Sequence, residues 1–271
     1  QSMNIKIPGF INLFLNSCAS ILILFLGQIF IKALLLLIIA KSYDANLMVI
    51  KGNFDLDIPV TSWTTDLVMI FYSSPTIISI LLTSLLFLLL PTLQSCNSCT
   101  RLWLLWSFYI CWTDFCYSIF SGGLTKDGFG YVFQYLYLSE TFNLILTLLS
   151  LFIVPLAALI TGNHLLELQR AYFPNLHYGN NKKFILSTLI LPSFTTSSLL
   201  LMLQSNFKVT NSLSILFLPI TVIPFLFARS DYIPPYEKTI KDETISNHKA
   251  FSAVILSLLI YVALIENDLK L

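Results

Sequence analysis

The sequence has little charge of either sign. Only 11% of its 271 residues are Asp, Glu, Lys or Arg, whereas 56% are apolar, and the mean hydropathy is +0.80. A soluble domain normally has about 25% charged residues. This composition excludes an ordinary water-soluble fold, and a net charge of +1 excludes a strongly basic nucleic-acid-binding surface. The composition predicts an all-α, polytopic membrane protein.

Cysteine and histidine are also scarce. Five cysteines are an odd number and do not suggest a disulfide-stapled secreted module. Three histidines are too few for the histidine-rich metal centres of membrane di-iron oxidases. No cofactor is predicted from this composition.

Long apolar runs divide the chain into membrane spans. A helix needs about 20 apolar residues to cross a hydrocarbon core about 30 Å thick. This criterion predicts seven spans, several with a proline that should bend the helix by removing an N–H donor. The spans lie at about 9–40, 66–91, 101–122, 140–162, 184–204, 211–228 and 250–265, and the prolines inside them are Pro75, Pro155, Pro192 and Pro219.

The remaining segments contain no second domain. Gln1, Ser2 and Met3 are interpreted as the remnant of an expression tag, and residues 4–271 as one transmembrane domain. The first apolar run is too long for the core of a signal peptide, so we expect a retained helix. Residues 41–65 are expected to form an ordered polar connector that packs on the mouth of the bundle.

The basic residues predict an orientation. With seven spans, nine Lys and Arg residues fall on the side of the N-terminus and five on the other side. The positive-inside rule then places the N-terminus in the cytoplasm and the C-terminus outside it.

Two ionisable residues lie within predicted spans, where charge is costly and commonly functional. Lys32 is eight residues before Ala40, and Asp114 is eight residues before Gly122. Because both helices should run outward, each charge lies about 12 Å below the extracytoplasmic end. Equal depth suggests an ion pair, and Gln28, one turn before Lys32, could add a hydrogen bond.

Small and polar residues surround Asp114 at helical spacing. One stripe on the third span includes Ser118, and a second on the fourth span includes Glu140 and Asn143. Together with Asp66 at the mouth of the second span, they predict a polar cavity that attracts a cation or proton. The predicted binding residues are therefore Lys32, Asp114, Gln28, Ser118, Glu140, Asn143 and Asp66. The same hydroxyl groups are, however, also typical of close helix packing in lipid.

Two other groups of residues suggest chemistry more weakly. His164, Glu167 and His177 lie on the cytoplasmic side and carry donor groups that bind zinc or iron, but no His-Glu-x-x-His motif accompanies them. They are also explained as solvated residues at the membrane interface. Cys96 and Cys99 form a Cys-x-x-Cys pair on the reducing side, which does not favour a disulfide.

Three functions remain open at this point. The first is a transporter or channel that carries a small solute, ion or proton through a polar cavity open to the outside. The second is a non-catalytic assembly or lipid-interacting subunit. The third is a membrane-embedded metal-dependent enzyme. Membrane lipids are the expected partners and nucleic acid is not expected, while the sequence leaves the oligomeric state open.

Overall fold

The computed structural model describes most of the chain. It covers residues 7–50, 53–59, 62–95, 97–126, 128–172, 184–207, 214, 217–226, 247–266 and 269–270. The fold is almost entirely helical, as predicted. The helices are α1 (Ile7–Ser42), α2 (Thr65–Leu89), α3 (Ser98–Thr125), α4 (Phe129–Tyr135), α5 (Glu140–Ile153), α6 (Leu156–Tyr172), α7 (Leu191–Phe207), α8 (Phe217–Val222) and α9 (Asn247–Glu266).

Four helical segments are long and apolar enough to cross a membrane. They match the first, second, fourth and fifth predicted spans and confirm transmembrane-type helices. Their bounds are Leu13–Ser42, Thr65–Thr92, Glu140–Gly162 and Leu186–Leu203. The second segment ends within a 3-10 helix at Leu90–Ser95 that follows α2. The fourth segment begins with a π-helix at Leu186–Ile190 that precedes α7.

The other three predicted spans are not matched by helices of this kind. Helix α3 has 28 residues, but its Asp114 and many Ser, Trp and Tyr residues lower its hydropathy. Within the predicted span 211–228, the described residues form α8 and a 3-10 helix at Ile223–Leu226, which together are short. The apolar part of α9, Lys249–Ala263, is shorter than the 18 residues required of a candidate span. Seven crossings remain a prediction.

Two prolines lie near a main-chain carbonyl that accepts a hydrogen bond from a neighbouring side chain. Pro75 has no N–H for the carbonyl of Phe71, and the hydroxyl of Ser74 donates to that carbonyl at 3.2 Å. At Pro155 the helix is interrupted, so that α5 ends and α6 begins. There the indole Nε1 of Trp112 donates to the carbonyl of Val154 at 3.1 Å. The predicted helix bends remain predictions.

The connector between α1 and α2 forms a β-hairpin, which the sequence analysis did not predict. Strands β1 (Asn46–Ile50) and β2 (Asn53–Asp57) pair antiparallel, and β3 (Leu269–Lys270) pairs with the other edge of β1. Apolar residues alternate with polar ones along β2, and Leu56 of β2 and its partner Leu47 on β1 are buried on one face. That face packs on the bundle, as the analysis expected of this segment.

Helix α3 lies in the middle of the bundle and contacts α1, α2, α4, α5 and α6. Trp106 and Tyr109 on this helix are fully buried in the largest apolar cluster. Near its end, Gly122 approaches the backbone of Gly130 so closely that a Cβ on Gly122 would lie 2.7 Å from the Gly130 nitrogen. Gly128, between α3 and α4, is the only described glycine with a positive φ.

Candidate functional site

Lys32 and Asp114 form an ion pair between α1 and α3. The Lys32 Nζ atom donates to Asp114 Oδ2 at 2.6 Å. The side chains keep 16% and 10% of their surface exposed, respectively. The structure therefore brings together the two charges that the sequence placed at equal depth. Whether they bind a ligand stays a prediction.

A serine on α2 forms a second hydrogen bond to the Asp114 carboxylate. The hydroxyl of Ser79 donates to the same Asp114 Oδ2 at 2.6 Å and accepts from Gln28 Nε2 at 3.4 Å. Three helices therefore meet at one carboxylate oxygen, and Gln28 reaches the charge through Ser79. The Ser79 hydroxyl also lies 3.0 Å from the carbonyl of Pro75, but its single proton can be donated to only one acceptor at a time.

Sequence reasoning missed Ser79, although a signal for it was present. Ser79 follows Thr76 by three residues and precedes Thr83 by four, so all three share one face of α2. All three are buried in the structure. The helical spacing identifies this face, but only the packing of α2 against α3 shows which of its hydroxyls reaches Asp114.

Burial explains why the pair holds the three helices together. Charges removed from water must be paired and hydrogen-bonded, because removing one partner of a buried pair costs about 3–5 kcal/mol. Asp114 has two donors at one oxygen, Lys32 and Ser79. No described residue donates to its other oxygen, Oδ1, and 10% of the side-chain surface stays exposed.

Ser118 and Asn143 do not reach the ion pair. Ser118 lies one turn after Asp114, but its hydroxyl donates to the Asp114 main-chain carbonyl at 2.8 Å. Asn143 lies where α5 packs on Gly123 of α3, and its main-chain carbonyl accepts from Thr147 at 2.8 Å. Each of these hydrogen bonds lies within one helix. Whether the two stripes bind a solute or only pack helices stays a prediction.

The two acidic residues at the predicted mouth are exposed. Asp66 lies in the first turn of α2, where the helix dipole favours a negative charge. Glu140 lies in the first turn of α5 and is 3.7 Å from Lys126, with side chains 94% and 61% exposed. Neither forms an ion pair with Lys32 in the described part of the chain. Their role in attracting a cation stays a prediction.

The predicted metal ligands are only partly covered by the structure. His164 lies on α6 and is partly buried. Glu167 is on the same helix, but its side chain lies outside the described residues, as does all of His177. In the described ranges, no three His, Cys, Asp or Glu side chains are grouped as metal ligands. The metal site stays a prediction.

Cys99, at the start of α3, is a free thiol whose partner in the Cys-x-x-Cys pair, Cys96, lies outside the described residues. Partial burial raises the pKa of the Cys99 thiol above its ordinary value. A raised pKa keeps the sulfur protonated at neutral pH, whereas thiol exchange requires the thiolate. The environment of Cys99 therefore does not favour redox chemistry.

Comparison with protein-family models, with curated proteins and with solved structures finds no match to this chain.

Proposed function

We propose that the chain is a membrane transporter or channel in which the Lys32–Asp114 pair binds or gates a small solute, ion or proton. The observation that carries this proposal is the position of the pair. An ammonium and a carboxylate lie within apolar helices, held by neighbouring helices and still partly exposed. Charges in a span are expensive and are typical of ion and solute pathways.

The arrangement offers a simple way to couple binding to movement. A solute or proton that takes Asp114 away from Lys32 removes the bond that joins α1 to α3, and also frees the Ser79 hydroxyl on α2. The Ser79 proton then has the Pro75 carbonyl, 3.0 Å away, as a second acceptor. A local change at one oxygen therefore alters contacts among three helices, which is a two-state element that a ligand can bias.

A flux measurement tests this proposal. Purified protein is reconstituted in liposomes, and proton, sodium, potassium and amino-acid fluxes are compared between the wild type and Asp114→Asn. We expect the substitution to lower the flux of one of these species at least tenfold while the protein remains folded. Asp44→Asn is the matched control, because Asp44 is an exposed turn residue with a φ of 52°, a conformation that Asn also tolerates.

The second candidate is a non-catalytic assembly subunit, and the closeness of the pair favours it. Lys32 and Asp114 already neutralise each other at 2.6 Å, and little of either is exposed. In that case Asp114→Asn lowers stability, while neither the wild type nor the variant passes any of the tested species. That result would refute the transport proposal.

A further inference from the structure

The β-hairpin covers the bundle at the end where α1 finishes and α2 begins. Leu47 of β1 and Leu56 of β2 are buried against a cluster that includes Leu36 and Ala40 of α1 and Phe71 of α2. The hairpin is therefore attached to the two helices by its apolar face. Its opposite face carries the exposed residues Asp55 and Asp57.

This hairpin lies directly beyond the ion pair along both helices. On α1, Lys32 precedes Leu36 by one turn, about 6 Å. On α2, Ser79 follows Phe71 by eight residues, about 12 Å. Any route from this end of the bundle to Asp114 between α1 and α2 therefore passes the residues on which the hairpin sits.

A short strand ties the hairpin to α9. In the pairing of β3 with β1, Met48 is opposite Lys270 and Val49 is opposite Leu269. Helix α9 packs along α1, where the ring of Tyr261 lies 6.0 Å from that of Phe25. The pairing of β3 involves two residues, whereas β1 and β2 pair over five. The β1–β3 contact is therefore the weaker edge of the sheet.

We propose that β3 is a releasable clasp that controls access to the Lys32–Asp114 pair. While β3 is paired with β1, the hairpin is held both by β3, which follows α9 in the chain, and by the α1–α2 cluster, and it stays over the end of the bundle that leads to the pair. When β3 detaches, the hairpin is held by its apolar face alone and can lift from the helices. This inference concerns regulation of the same site and rests on the proposed function.

The register supplies two matched cross-links. Met48 is opposite both Lys270 on β3 and Asp55 on β2. In a background without the native cysteines, Met48→Cys with Lys270→Cys forms the clasp cross-link when oxidised, which locks β3 to β1. Met48→Cys with Asp55→Cys instead forms the hairpin cross-link, which joins β1 to β2 and leaves β3 free. The two variants share one substitution and differ only in the strand that is joined to β1.

Hydrogen–deuterium exchange and flux together test the clasp and the transport function separately. Hydrogen–deuterium exchange of residues 28–40 and 71–83 reports access to the site without any transport assay. We expect the clasp cross-link to slow this exchange at least fivefold, and a reductant to reverse the effect. The clasp cross-link should also stop flux, while the hairpin cross-link, as the control, leaves both exchange and flux near the wild-type values.

Release of the clasp should have the opposite effect. A chain that ends at Glu266 lacks β3, and Leu269→Pro removes an N–H donor from β3 without shortening the chain. Both should speed exchange at residues 28–40 and 71–83 at least fivefold while circular dichroism shows the helices intact. Equal effects of the two cross-links, or unchanged exchange in Leu269→Pro, would overturn the clasp. If the exchange results are as expected but the wild-type protein shows no flux, only the transport function is overturned.

Discussion

The Lys32 ammonium and the Asp114 carboxylate are 82 positions apart in sequence and 2.6 Å apart in the structure. Their contact joins α1 to α3, and Ser79 adds α2 to the same oxygen. A charged contact that is largely removed from water has to be paired and hydrogen-bonded within the protein. The pair thus fixes the relative positions of three helices, and any ligand for it must compete with that contact.

Close packing of α3 against α5 should make Gly123 intolerant of a side chain. A Cβ at this position would overlap the hydroxyl oxygen of Thr147. We expect Gly123→Ala to destabilise the protein by about 1–3 kcal/mol, measured as the free energy of unfolding in mixed micelles. Thr147→Ala removes the clashing atom, so the double variant should recover most of this loss.

Gly27 is the matched control for this experiment. It is an exposed residue within α1, and no atom lies within 4 Å of the position its Cβ would take. Gly27→Ala should be neutral or stabilising by up to about 1 kcal/mol, because alanine is the better helix former. A loss of stability in Gly27→Ala equal to that in Gly123→Ala would show that the contact with Thr147 is not the cause.

Ser74 should matter only while residue 75 is proline. Its hydroxyl donates to the Phe71 carbonyl, which Pro75 cannot reach with an N–H. Ser74→Ala is expected to cost about 1 kcal/mol in the wild type and close to nothing in Pro75→Ala, where the helix N–H is restored. Unfolding free energies of the four variants test this, and equal costs in both backgrounds would contradict it.

Cys99 should react slowly with alkylating reagents at neutral pH. Burial raises the pKa of its thiol, so that less thiolate is present than for a free cysteine. In a variant that retains only Cys99, the alkylation rate should reach half its maximum at a pH above the ordinary value of about 8.5. The rate is measured by mass spectrometry, with the unfolded protein as control. A midpoint at or below that of the unfolded protein would be incompatible with burial.

The predicted orientation can be tested at exposed positions. Single cysteines replacing Asp55 and Lys126 should be labelled in intact cells by a maleimide that does not cross membranes, because both lie on the predicted extracytoplasmic side. A cysteine replacing Asn97, on the opposite side, should be labelled only after the cells are opened. The three positions are exposed in the structure, so protection of Asn97→Cys cannot come from burial within the protein.

The depth of the charges Lys32 and Asp114 was predictable from the sequence. Of the hydrogen-bond partners of Asp114, Lys32 was predicted and Ser79 was not. A rise of about 1.5 Å per residue places Lys32 and Asp114 at one level without any structure. The rotation of α2 about its axis depends on packing, and for that reason Ser79 was missed. Asp66, which is expected at the mouth of the second span, is exposed, whereas Thr76 on the same helix is buried.

The sheet was less predictable than the helices. A hairpin signal is nevertheless present in the sequence, because Leu47, Val49, Phe54 and Leu56 alternate with other residues on both sides of Gly52. Strand β3 has only two residues, and no local pattern identifies so short a strand. Its partner is more than 200 residues away in sequence, so its position depends on how α9 packs along α1.

A double-mutant cycle on Lys32 and Asp114 tests the central claim most directly. The single variants Lys32→Met and Asp114→Leu and the double variant are compared by their free energies of unfolding in mixed micelles. Because each single variant leaves one charge unpaired, we predict a loss of about 3 kcal/mol for each and a clear recovery in the double variant, with a coupling energy above about 1.5 kcal/mol. Losses that simply add in the double variant would contradict the account, because the two charges would then not share one interior site.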